Sequence, residues 1–307
     1  MSEEEALVAA IAADPADDTV RLAYADWLDE HDQPGGAYLR TEVELAKPGR
    51  RSKKKAAALR EKLLEQRRAV DPAWLARFEQ PYLLRVNPTP FPSEWIGTDL
   101  PGARDVAGTY GVSGYQSLPP LPVERFRGDW RWLLPAGHKP RAAKHGTRLA
   151  KLAKARGLTL PPGFVEFAND AAAQELIRSN TDCFFYWAEA IADSPAGEGG
   201  SLIRFYADSQ GCVYWYLYAT PTGYSCVVAS PKLYGEDDDD DDEDDEDEEE
   251  DEPEETYFCA PSFEAFVYRT WVENEIWFRL AKPTFDFHDP RPMTAEMQAY
   301  MKHYEKQ

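Results

Sequence analysis

The clearest alternation of apolar and polar positions lies between Ser201 and Ser230, SLIRFYADSQGCVYWYLYATPTGYSCVVAS. From Cys212 to Tyr218, Val213, Trp215 and Leu217 alternate with Cys212, Tyr214, Tyr216 and Tyr218. Successive side chains of a strand point to opposite faces, so a period of two predicts a sheet with one apolar face and one aromatic, polar-tipped face. Ser209-Gln210-Gly211 and Thr220-Pro221-Thr222-Gly223 supply residues that preset φ or permit positive φ. The stretch is therefore expected to form an antiparallel meander of strands near Leu202–Ala207, Cys212–Tyr218 and Tyr224–Ala229. The tyrosine face reads either as the ordinary outer face of a sheet or as a recognition surface, because rigid amphipathic rings bind partners at small entropic cost.

Helical periodicity dominates the N-terminus. Leu7, Val8 and Ile11 share a face behind Glu3, Glu4 and Glu5, whose charges favour a first turn. Asp14-Pro15 ends that helix, and Asp17-Asp18-Thr19 opens a second with Val20, Ala23, Tyr24, Trp27 and Leu28 as its apolar stripe. Trp27 is expected to anchor the core and Asp26 to hydrogen-bond a neighbouring helix. After the break Gln33-Pro34-Gly35-Gly36, a third helix presents Tyr38, Leu39 and Val43, and a basic helix follows over 50–70. A second basic helix spans 145–156 and stops at Gly157. Phe263, Phe266, Val267, Thr270, Trp271, Asn274 and Phe278 follow three-to-four spacing behind Ser262, which predicts a capped amphipathic helix.

Between these lies a stretch, about 80–140, dense in Pro, Gly and aromatic residues and too apolar for disorder. The expected organisation is a helical module over 1–79, an irregular connector over 80–147, an α+β domain over 148–282, and a C-terminal tail over 283–307 with a short peripheral helix.

Charge changes the picture locally. The chain of 307 residues carries a net −21, but Glu236–Glu255 holds 19 of its carboxylates and the remainder is only −2. Such a run repels itself and is expected to be a disordered loop over 236–255. It serves solubility, or acts as a polyanion that competes for a basic surface, on a nuclease toxin or on this chain's own basic helices. It lacks the Gly-bearing loop of a calcium site. The basic helices resemble phosphate grips, yet no stacking aromatic and no helix-turn-helix or zinc-finger spacing frames them, which disfavours nucleic acid as the partner.

The cysteines Cys183, Cys212, Cys226 and Cys259 are widely spaced without a C-x-x-C pair, so buried reduced thiols are expected rather than a zinc or disulfide framework. Cys212 and Cys226 flank one hairpin. The acidic N-terminus has no leader pattern, and no apolar run reaches the roughly 18 residues of a span, so a cytoplasmic protein without membrane contact is expected.

Catalytic signatures are missing from the sequence. His31, His138, His145, His288 and His303 are scattered, and no nucleophile elbow, zinc helix, Walker loop or dinucleotide fingerprint occurs. Gly197-Glu198-Gly199-Gly200 precedes a strand rather than a helix, so it presents no helix N-terminus to phosphate. Glu189 and Asp193 read as exposed acids at a strand end. The expectation is a non-enzyme with no cofactor and no metal.

Two resemblances add to this reading. Asp14-Pro15, Arg21-Leu22, Tyr24-Ala25-Asp26-Trp27-Leu28, Glu30 and Leu39-Arg40 give residues 5–45 a pattern that resembles the bacterial repeat-companion domain, which implies no activity. Leu158-Thr159-Leu160-Pro161-Pro162-Gly163-Phe164-Val165-Glu166-Phe167 resembles the start of the SUKH superfamily, the cell-wall-regulator-like and toxin-immunity proteins. The strand expected over Cys183–Ile191, the Asp208/Gly211 turn and Ser262-Phe263-Glu264-Ala265-Phe266 follow in the matching order, so the likeness covers about 149–282. It implies a SUKH-like antiparallel sheet with flanking helices and an immunity-type role, neutralising a toxin by direct binding. On face alternation the contact residues are Tyr186, Glu189, Asp208, Gln210, Tyr214, Tyr216 and Tyr218, backed by Trp187 and Trp215 and joined by Asp237, Asp240 and Asp244 of the acidic run. The alternatives are a regulatory scaffold linking two protein partners, and nucleic-acid binding through the basic helices.

Overall fold

The computed structural model describes residues 2–13, 17–47, 53–67, 69–71, 74, 89–97, 100, 111–114, 118–122, 125–196, 199–235 and 256–306. The chain divides into one unit of Met1–Pro92 with Pro120–Glu124 and another of Ser93–Pro119 with Arg125–Gln307.

The first unit holds α1 (Glu3–Ala13), α2 (Asp18–Glu30), α3 (Gly36–Ala46) and α4 (Lys53–Arg67). Ser2 and Glu5 open α1 reciprocally: the Glu5 amide donates to Ser2 Oγ at 3.1 Å and the Ser2 amide to Glu5 Oε2 at 2.8 Å. Asp17 caps α2 by accepting from the Thr19 amide at 2.8 Å. Ile11, Tyr24, Ala25, Leu28, Tyr38, Leu39, Val43, Leu63 and Val70 form the core. Asp26 accepts from Arg40 of α3 at 2.6 Å, as expected.

The apolar stripe of α2 differs from expectation. Ala23 is exposed and Trp27 half-buried, so Tyr24 is the anchor, while Arg21 is fully buried. Its guanidinium meets Glu42 of α3 at 3.2 Å, a pairing across 21 residues that local periodicity does not reveal.

The second unit is a mixed α+β fold. In order it has β1 (Glu94–Gly97), β2 (Gly111–Gly114), α5 (His145–Ala155), α6 (Pro162–Ala168) and α7 (Ala171–Gln174). Next come β3 (Phe184–Phe185), β4 (Ala192–Asp193), β5 (Ser201–Ala207), β6 (Tyr214–Ala219), β7 (Ser225–Ser230), β8 (Tyr257–Ala260), α8 (Phe263–Leu280) and α9 (Ala295–Lys302). The main sheet runs β3-β5-β6-β7-β8, with β4 also on β5, and its pairs are antiparallel. The expected meander is thus present. Gly223, at φ 84°, closes its second turn by donating to Thr220 O at 2.9 Å. Of the strand expected over Cys183–Ile191 only β3 is regular, and β4 follows just beyond it.

One face of the sheet packs on α8. Ser262 caps that helix by accepting from the Ala265 amide at 3.1 Å. A bulge between Arg204 and Tyr206 lets two consecutive rings face it: Phe205 and Tyr206 lie 5.3 and 5.9 Å from Phe266. Trp215 reaches the same ring at 6.0 Å.

Residues 93–119 and 125–147 of the connector, and the tail, belong to this unit. Ser93 bridges Phe258 of β8 in parallel, β1 pairs with β2, and Trp95 and Trp130 are buried. Met297 and Tyr300 of α9 are buried too, so the terminal helix is not peripheral. Each contributes a few anchors to a core formed elsewhere.

After α8 the chain is fastened by charge. Arg291 beside Asp289 holds its carboxyl well below the usual carboxylate range, with Arg178, at 3.0 Å, and Arg279 adding to the effect. A depressed folded pKa stabilises the fold above the unfolded value, and that contribution is lost as pH falls through the folded one. Asp289→Asn is therefore expected to flatten the loss of stability below about pH 4, read by urea unfolding across a pH series. An acid limb as steep as that of the wild type would refute this.

Candidate partner-binding surface

The candidate surface is built from the alternation along β3 and the residues after it. Phe185 and Trp187 turn inward, their rings 5.1 Å from Phe167 and 5.6 Å from Phe164. Phe184 and Tyr186 turn outward and remain 46% and 37% exposed, with ring centroids 5.6 Å apart. The buried Arg204 guanidinium lies 3.7 Å over the Tyr186 ring, so a cation backs an exposed aromatic pair. Across the sheet Phe184 pairs with Ala207, Ala207 with Tyr214, and Tyr214 with Ser230. Tyr214 is half-buried, and Gln210 is exposed in the adjoining turn.

Three expected contact residues are not available on this surface. Tyr216 and Tyr218 are buried although they lie on the predicted face, and so is Asp208. The segment after β7 roofs Tyr216: its hydroxyl donates to Lys232 O at 2.8 Å and accepts from the Tyr234 amide at 2.9 Å, and Tyr234 meets its ring edge-on at 5.5 Å. Gly200 packs on Tyr218 so closely that a Cβ there would lie 2.2 Å from the ring. Asp208 accepts from the Cys212 amide at 3.1 Å and holds the turn that Gly211, at φ 76°, completes. A period of two assigns a side chain to a face; it does not say whether a distant loop covers that face.

Glu189 is exposed but ion-paired with Arg148 of α5, which also donates to Ala188 O at 2.7 Å. Trp187 and Trp215 are buried supports, as expected. Asp237, Asp240 and Asp244 fall outside the described residues. Among the described residues that flank the run, the hydroxyls of Tyr234 and Thr256 are 3.3 Å apart. Sequence reasoning missed Phe184, although its spacing of two from Tyr186 carried the signal, and Arg204, which lies 18 residues from its aromatic partner.

A cleft of about 380 Å³ lies elsewhere in the unit, between 126–130, the start of α6 and the start of α8. Glu264 at its wall accepts from the Gly128 amide and from Trp132 Nε1, both at 2.7 Å. Burial pushes its carboxyl up and these bonds pull it back. Both oxygens are engaged, so Glu264 staples the loop rather than offering a base. Trp130 adopts φ 58°, a conformation rare for a bulky residue, and is held by its Nε1 bond to Gly163 O at 3.0 Å.

The thiols split by position. Burial pushes Cys226 well up and Cys259 up to about 12, which removes both as nucleophiles near neutral pH. Cys212 and Cys183 depart from the expected burial: Cys212 sits exposed beside the β5–β6 turn and Cys183 is half-buried. No disulfide joins the four cysteines, all of which are among the described residues. Among the described residues no group of three or more His, Cys, Asp or Glu is placed to hold a metal ion, and no helix is long and apolar enough to cross a membrane. Compared with known proteins, the chain matches no family model, no curated protein and no solved structure.

Proposed function

We propose that the sheet unit is a non-enzymatic protein-binding module of the immunity type, which neutralises a toxin in the cytoplasm by covering a basic surface on it. The observation that carries this reading is the exposed Phe184–Tyr186 pair over Arg204, on the face where Tyr234, shortly before the carboxylate run in sequence, packs on Tyr216. Side chains connect the two: Tyr234 packs on Tyr216, Tyr216 stands opposite Arg204, and Arg204 lies under Tyr186. Exposed rings give contact area at small entropic cost, and the 19 carboxylates of the acidic run select a cationic partner and accelerate its approach. The order of SUKH-like motifs supports the partner class. The contact residues of this reading are Phe184, Tyr186, Gln210 and Tyr214.

Affinity capture from the native cytosol tests it, using the full chain, the Phe184→Ser/Tyr186→Ser variant and a chain lacking 236–255. A specific partner retained by the full chain should fall at least about tenfold with either change, since each removes a central contact or most of the steering charge. Equal retention by all three proteins would end the proposal.

A further inference from the structure

A second concavity lies wholly within the N-terminal unit and measures about 410 Å³. Trp27, His31 and Trp74 wall it, and Glu4 and Asp71 bring carboxylates to it. The walls are rigidly set. Tyr24 is buried beneath both indoles, 6.0 Å from Trp27 and 6.1 Å from Trp74. Its hydroxyl accepts from Trp74 Nε1 and donates to Glu4 Oε1, each at 3.0 Å. His31 stacks on Trp27 at 4.0 Å, tied by its Nδ1 to Trp27 O at 2.7 Å.

The Gly-Gly break before α3 is part of the same construction. Gly35 has φ 123°, and a Cβ there would lie 2.7 Å from the Trp74 ring. The glycine both makes the turn and admits the indole. Tyr24, Trp27 and Gly35, which the sequence places on a helix and at a break, thus converge on one cleft through Trp74, 50 residues from Tyr24.

The chemistry of that cleft selects its ligand. Aromatic faces carry negative potential, and two carboxylates on the same walls reinforce it, which favours a cation over a neutral or anionic group. A bare metal ion would find too few oxygen ligands among indoles. The volume falls in the range of small-ligand sites and admits one long side chain. We propose that this cleft binds a cationic side chain, the lysine or arginine of a partner peptide.

The test follows the indole N–H signals of Trp27 and Trp74 in the full-length protein by NMR, assigned with single Trp→Phe variants. The titrants are blocked Gly-X-Gly tripeptides with X as arginine, lysine or the neutral norleucine. Arginine or lysine should shift both signals saturably, with a dissociation constant on the order of millimolar or below, and norleucine should not. Asp71→Asn is expected to weaken binding about three- to tenfold. Trp74→Phe should weaken it as well, since indole is the stronger cation binder. No shift up to roughly 10 mM peptide, a norleucine response equal to arginine, or affinity unchanged in both variants would overturn the assignment.

Discussion

Arg21→Met is expected to unfold the N-terminal unit near pH 8 while leaving it largely folded near pH 5. Arg21 and Glu42 are both buried, 3.2 Å apart, and Tyr38 also hydrogen-bonds the carboxylate. Burial pushes the Glu42 carboxyl up to about 7, and Arg21 is the largest influence holding it down. Without the guanidinium the folded pKa rises further. A carboxyl whose folded pKa exceeds its unfolded value binds its proton more tightly when folded. Its stability contribution is therefore complete at low pH and is lost as pH rises from the unfolded value to the folded one. In the wild type that loss is spent by about pH 7; in the variant it continues above.

Removing one partner of a buried pair typically costs about 3–5 kcal/mol, comparable with the whole stability of a small unit. Urea unfolding of the full chain at the two pH values, followed by circular dichroism, reads the difference. Arg21→Met/Glu42→Leu should recover most of the loss, because replacing both charges leaves none stranded. A loss as large at pH 5 as at pH 8 would show that Glu42 ionisation is not its source.

What could be read in advance divides along a physical line. The helix starts at Asp17 and Ser262, the strand alternation from Val213 to Leu217 and the turn at Gly223 are local chemistry, and all are found where the pattern puts them. Burial and partnership are not local. The Arg21–Glu42 pair and the Trp74–Tyr24 bond join residues 21 and 50 positions apart, so no window of periodicity contains either. The outer tyrosines illustrate the same limit. Tyr214, Tyr216 and Tyr218 share a face as expected, but the roof over Tyr216 comes from Lys232 and Tyr234, beyond the next strand. Phe184 and Tyr186, on the short edge strand and its continuation, do remain exposed.

Glu273 is the place where the pieces that read as connector, closing helix and tail become one core, and Glu273→Leu should therefore be among the most damaging changes in the second unit. The carboxylate is fully buried on α8. It accepts from Trp95 Nε1 of β1 at 3.2 Å and from the Tyr300 hydroxyl of α9 at 2.6 Å. Arg269 donates to that same hydroxyl at 2.6 Å and to Pro119 O at 2.9 Å. Leucine would take from the Trp95 indole N–H and the Tyr300 hydroxyl the buried acceptor they share, an expected loss of about 3–5 kcal/mol. Tyr300→Phe deletes the hydroxyl but keeps both charges and the ring, so it should lose only about 1–3 kcal/mol. Because Phe266 of α8 lies against Phe205 and Tyr206, a loosened α8 also withdraws support from β5 and from β3 paired to it. Urea unfolding should accordingly rank Glu273→Leu well below Tyr300→Phe, and proteolysis should nick the Glu273→Leu protein near both 93–97 and 295–302. If Glu273→Leu unfolds within about 1 kcal/mol of the wild type, then apolar packing alone holds Trp95 and Tyr300 to α8, and the buried carboxylate is dispensable to their union.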